Sequence, residues 1–183
     1  MPSLSKQITG SLQFHRGVIP YPLWGLSLAQ NSKGKITMKT ITYNTAQDVL
    51  NRNFGSMRIF RSISNNLLYT EGIKDFAQTL GAYWLIDTVA SYMPQVLKTY
   101  ETNEETFFVV EVYVNKEQQG YFEIYHEGWI DNDYHECITV AKQNIPFIDL
   151  PTKEDEVVTS YKFFLELSSF NPLAYTLLLP SEH

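Results

Sequence analysis

The chain has 183 residues, 44% of them apolar and 14% aromatic, which is enough material for one ordinary domain with a buried core and excludes wholesale disorder. Its formal charge is −6, and because residues 1–37 hold Lys6, Arg16, Lys33 and Lys35 but no acid, all 20 acidic residues fall after them. That balance disfavours a nucleic-acid binder, which needs a basic face to displace counterions, and leaves acidic mimicry of nucleic acid, binding of a basic protein, or plain solubility.

A single cysteine, Cys137, cannot form an internal disulfide, so a reducing, cytoplasmic setting is expected. No stretch approaches the roughly 20 uninterrupted apolar residues of a membrane span, and the best candidate, Ala82 to Met93, contains Asp87. No membrane association is expected.

Residues 1–37 have scattered Gly, Pro and Ser and no sustained period, and they read as a non-native or disordered extension preceding a single α+β domain over 38–183. Lys33-Gly34 can be encoded by a run resembling a ribosome-binding site, so translation is expected to start at Met38. The rival reading is a signal peptide with its apolar stretch from Gly17 to Ala29, which Pro20 and Pro22 interrupt.

Thr45 opens a short predicted helix that Gly55 would stop, and a polar loop follows to Tyr69. Thr70 is a second N-cap candidate, and Ile73, Phe76, Ala77 and Leu80 then make one apolar helical face. After Gly81, the segment Ala82 to Met93 has apolar residues almost all round and predicts a central buried helix, with a kink or restart at Pro94.

The period then changes to two. Phe108, Val110, Val112 and Val114 share the inward face of a strand over 106–115, and Asn115 to Gly120 connects it to Tyr121 to His126, with Phe122 and Ile124 inward. A strand near 135–142 follows, then Tyr161 to Leu167 and Tyr175 to Leu179 as a final pair. The fold class expected is α+β: N-terminal helices packed on one face of an antiparallel sheet of about four or five strands.

Phe54-Gly55-Ser56, the run Leu68-Tyr69-Thr70-Glu71-Gly72-Ile73-Lys74 leading into Gly81-Ala82-Tyr83-Trp84-Leu85-Ile86-Asp87, and the ending Leu177-Leu178-Leu179-Pro180-Ser181-Glu182-His183 belong together. Over about residues 45–183 they resemble a family of small uncharacterised proteins from bacteria, plasmids and phages, a domain of unknown function. Where that family has a Tyr-Arg-His-like element this chain reads Phe60-Arg61-Ser62, lacking the histidine. The resemblance implies a mobile-element accessory protein and supplies no catalytic residues.

Asp87 draws attention because a carboxylate inside an apolar helix must be paired, protonated or beside a water-filled cleft. Its bland role is a structural pairing with Arg58, Arg61 or a nearby Tyr hydroxyl; its functional role is a pocket for a small polar or anionic ligand formed with Arg61 and Tyr83. His126, Glu127, Asp131, Asp133, His135, Glu136 and Cys137 crowd one hairpin without the spacing of a zinc or calcium site, so a solvated acidic turn is expected and no metal or other cofactor. Cys137 as a nucleophile would need His126 or His135 as base, and a small core residue on a strand is the expectation. No hydrolase elbow or phosphate-cradling loop occurs, and no catalytic residue is assigned.

Tyr113, Tyr121 and Tyr125 fall opposite the inward Val and Ile faces, and with Trp129, Glu111 and Glu123 they predict an acidic, aromatic patch. The leading expectation is a non-catalytic protein-binding factor of a phage or mobile element that inhibits a host protein, with Glu111 and Glu123 reversible to Lys without unfolding. The alternative is a small enzyme or ligand-binding protein with its pocket near Asp87.

Overall fold

The computed structural model describes residues 28–30, 36–38, 41–63, 66–130, 134–169, 171 and 173–183. Strands β1 (Leu28–Gln30) and β2 (Ile36–Met38) form a separate two-stranded antiparallel ladder. The remainder of the expected extension over 1–37 lies outside the described residues.

Helix α1 spans Tyr43–Arg52, and its cap is Thr42 rather than the expected Thr45: the Thr45 amide donates to Thr42 Oγ1 at 3.3 Å. Capping needs a side-chain oxygen before the first helical residue, and Thr42 meets that need one turn earlier. Gly55, with φ of 79°, lies beyond the helix end in the following turn. Strands β3 (Ile59–Arg61) and β4 (Leu67–Thr70) then occupy the segment expected to be loop.

Helix α2 (Glu71–Leu80) begins where β4 stops, with the Ile73 amide donating to Thr70 Oγ1 at 3.3 Å. Ile73, Phe76, Ala77 and Leu80 are all buried, as their spacing predicts. Gly81 ends the helix in the left-handed region at φ 72°, a conformation that disfavours any residue with a Cβ.

Helix α3 runs unbroken from Tyr83 to Asn103, through Pro94. The expected restart does not occur because Pro94 sits on the exposed side, where the carbonyl it leaves unbonded can turn to water. Nor is α3 apolar all round: Leu85, Ile86, Val89, Met93 and Val96 form a buried stripe, while Tyr83, Asp87 and Ser91 line the opposite, exposed side. Among the described residues no helix is long and apolar enough to cross a membrane.

The later strands are β5 (Phe107–Asn115), β6 (Gly120–Ile130), β7 (Tyr134–Ile145), β8 (Val158–Leu167) and β9 (Tyr175–Leu178), followed by a 3-10 turn over Pro180–Glu182. The sheet has seven strands in the order β3-β4-β9-β8-β5-β6-β7 and is mixed, because β4 pairs parallel with β9 (Leu67 opposite Tyr175). This corrects the expected four or five antiparallel strands, and β3 and β4 also separate α1 from the other helices.

All three helices meet the same sheet face. Tyr43 of α1 lies edge-on to Tyr161, Phe76 of α2 packs on Tyr161 and Phe163, and Tyr92 of α3 stacks on Phe122. Phe108, Val110, Val112, Val114, Phe122, Ile124, Phe163 and Leu165 are fully buried beneath them. Among the described residues the opposite face of the sheet carries no helix.

Candidate functional site

The face opposite the helices is built by alternation. Register places Glu111 beside Glu123 and Lys162, and Tyr113 beside Tyr121 and Ser160, with Tyr125 next to Val109 and Thr139. Register thus sets Glu111, Tyr113, Tyr121, Glu123 and Tyr125 side by side on one face, with bonds among them. Tyr113 and Tyr121 stack with centroids 4.4 Å apart, and Tyr125 Oη donates to Glu111 Oε2 at 3.1 Å.

Two neighbours escaped the sequence reading because cross-strand register was needed to see them. Thr139 Oγ1 donates to Glu123 Oε1 at 2.7 Å, and Lys142 Nζ lies 3.3 Å from Glu123 Oε2 and 4.0 Å above the Tyr121 ring. The patch is thus less acidic than expected. Glu111 is only 7% exposed, so replacing it by Lys would press a cation into a half-buried ring of phenols and disturb folding, which corrects the expectation that it can be reversed without unfolding. The Trp129 side chain lies outside the described set.

Burial first, then the Glu111 carboxylate, raises the Tyr113 and Tyr125 phenols above the ordinary tyrosine range. A phenol with a raised folded value stabilises fully below the unfolded value of about 10 and loses that contribution as pH rises past it. Glu111→Gln is expected to let both phenols ionise at lower pH, read by the ultraviolet absorbance of tyrosinate in an alkaline titration. An unchanged titration would show that Glu111 does not face them.

Asp87, Tyr83 and Arg61 are all exposed, so the acid needs no buried partner, correcting the expectation drawn from an apolar helix. Tyr83 and Asp87 do lie near Tyr69, whose phenol is raised by burial and then by these two groups. Arg58 approaches Glu71 at 3.9 Å instead of Asp87. Tyr69 in turn stacks on Phe60, over which Lys74 sits at 4.3 Å. Tyr83, Asp87, Arg58 and Arg61 are exposed, whereas Tyr69, Phe60 and Lys74 are partly buried.

In the crowded hairpin, Cys137 is exposed and faces the same side as Glu127, whereas His126 points to the helix side and is 3% exposed. The thiol and imidazole are therefore not partners. His126 Nδ1 stands 3.2 Å from Glu105 Oε2, with the Phe108 ring edge-on, but neither ring nitrogen has a hydrogen bond of good geometry among the described residues. No group of three or more potential metal ligands gathers among the described residues.

The three sequence stretches singled out above converge on one carboxylate. Glu182 Oε2 accepts from Thr70 Oγ1 at 2.6 Å and from the Leu179 amide at 3.0 Å, while Oε1 accepts from the Gly72 amide at 3.2 Å and from Ser56 Oγ. Ser56 Oγ also accepts from the Glu71 amide at 3.0 Å, and Ser181 Oγ donates to the Leu50 carbonyl at 2.7 Å. A carboxylate over the free amides of a helix start is favourable both as an acceptor and against the dipole. The chain fills this anion-binding position with its own side chain, and nothing in the spacing of residues 56, 72 and 182 announces that they meet.

Fold and surface together define an α+β protein whose mixed sheet is covered by helices on one side and, among the described residues, by none on the other, which carries a tyrosine cluster. The chain belongs to the Family of unknown function (DUF6876), whose pattern matches residues 44–183. No curated protein and no solved structure matches it.

Proposed function

We propose that this chain is a non-catalytic protein-binding accessory factor whose docking surface is the uncovered sheet face around Tyr113, Tyr121, Tyr125, Glu111 and Glu123. The observation that carries the reading is the combination of a half-buried aromatic cluster with no covering layer among the described residues. Tyr125 is held by Glu111, and Tyr121 by Lys142 and its stack on Tyr113, so these rings are already ordered and binding them costs little side-chain entropy. The acidic composition suits a basic host protein as the inhibited partner, in keeping with the mobile-element origin that the sequence resemblance implies.

Tyr113→Ala with Tyr121→Ala tests it. Losing the ring pair is expected to cost stability on the order of 1 kcal/mol, leaving the protein folded, while capture of a stoichiometric partner falls to background. Undiminished capture of that partner by the folded double variant would remove this face from consideration.

A further inference from the structure

The two ends of the sheet differ. The edge strand β3 has three residues, too few to template a neighbour, whereas the opposite edge strand β7 has twelve. A register shift opposite Ile124 and Tyr125 divides β7, and beyond it the ribbon leaves the rest of the sheet: β5 is paired with β6 only from Gly120 to Tyr125, and from His126 to Ile130 the sole strand partner of β6 among the described residues is β7. A two-stranded ribbon is marginal by itself and gains from a third strand.

Along this projecting edge Glu136, Cys137, Ile138 and Thr139 are exposed, as is Glu127 across the ladder. Alternation turns Glu127 and Glu136 to opposite faces of the ribbon, so both faces carry negative charge. The sequence has no lysine or arginine between Lys116 and Lys142. Edge-to-edge pairing with a second copy would set like charges against each other, which selects an occupant of opposite sign.

We propose that the edge of β7 over Glu136 to Thr139, which no other described strand pairs, takes an extended basic segment of a partner protein as an added strand. This rests on the reading of the chain as a protein-binding factor and assigns that factor a mode of binding: main-chain hydrogen bonds from β7 supply affinity, while Glu127 and Glu136 select for lysine or arginine. The exposed Ile138 gives the incoming strand one apolar contact.

The probe is a peptide of alternating lysine and valine, titrated into the full chain at low salt with amide hydrogen exchange followed in parallel. Binding is expected to protect amides within residues 136–139, to weaken about tenfold or more in the Glu127→Lys, Glu136→Lys double variant, and to vanish when alternate peptide amides are N-methylated. Both substitutions are at exposed positions, so a loss of binding will not reflect a failure to fold.

The proposal is overturned if the peptide does not bind, if the charge reversals leave binding intact, or if the N-methylated peptide binds equally well. It is overturned in favour of other occupants if protection appears only with dimer formation in sedimentation, or if binding requires removal of residues 1–37. If the peptide fails while partner capture still depends on Tyr113 and Tyr121, strand addition falls and the protein-binding reading stands. Capture that ignores the tyrosines, with peptide binding intact, transfers the docking role from the sheet face to this edge.

Discussion

Glu182→Ala is expected to destabilise the protein by about 2–4 kcal/mol, because charge-assisted hydrogen bonds contribute more than neutral ones and their loss strands the opposing groups. The Ser56 and Thr70 hydroxyls and the Gly72 and Leu179 amides all donate to this one carboxylate. Urea unfolding measures the change as a lower midpoint at constant slope. Glu182→Gln keeps the shape and loses the charge, so an intermediate loss is expected.

Gly72 supplies an independent check on the same carboxylate. A Cβ there would lie 2.6 Å from Glu182 Oε2, and the carboxylate is too well held to move without surrendering its donors. Gly72→Ala should therefore reproduce much of the Glu182→Ala loss, and the double variant should be far from additive. A change below about 0.5 kcal/mol in Glu182→Ala would mean that water replaces the carboxylate at little cost.

Phe76→Ala is expected to cost about 3–5 kcal/mol, the range for truncating a large ring in a close-packed core. Phe76 is fully buried and meets Phe163 at 5.1 Å and Tyr161 at 6.0 Å between centroids, so its removal opens a space exactly where α2 joins the sheet. Phe54 is 81% exposed and serves as the control: Phe54→Ala should shift stability by less than about 0.5 kcal/mol. Similar losses for the two rings in urea melts would contradict the placement of α2.

What could be read from the sequence follows from how far each signal reaches. The inward faces of β5 and β6 and the buried stripe of α2 repeat over many residues, and Phe108 to Val114 and Ile73 to Leu80 were identified from periodicity alone. Strands β3 and β4 are three and four residues long, shorter than any usable period, and Thr70 serves both as strand end and helix cap. Asp87 misled because apolar count was mistaken for apolar coverage: the charged residue lies on the one strip of α3 that faces outward.

The patch itself was partly legible, since alternation alone put Tyr113, Tyr121 and Tyr125 on the face opposite the core. Its chemistry was not, because the roles of Thr139 and Lys142 depend on a register shift in β7 that changes which residues face outward. The Glu182 cluster lay further out of reach, joining Ser56, Gly72 and Glu182 across more than a hundred residues of chain.

The parallel pairing of β4 with β9 also bears on the order of assembly. Aligning Leu67 with Tyr175 closes a long loop and must wait for most of the intervening chain, whereas the β5-β6-β7 meander can form from near neighbours. The meander is thus the natural nucleus, and β3 and β4 join the sheet late. Run backwards, the same asymmetry makes the β3–β4 end the region whose amides exchange first, so that a protease encountering a partly opened molecule would cut there while the tyrosine face was still intact.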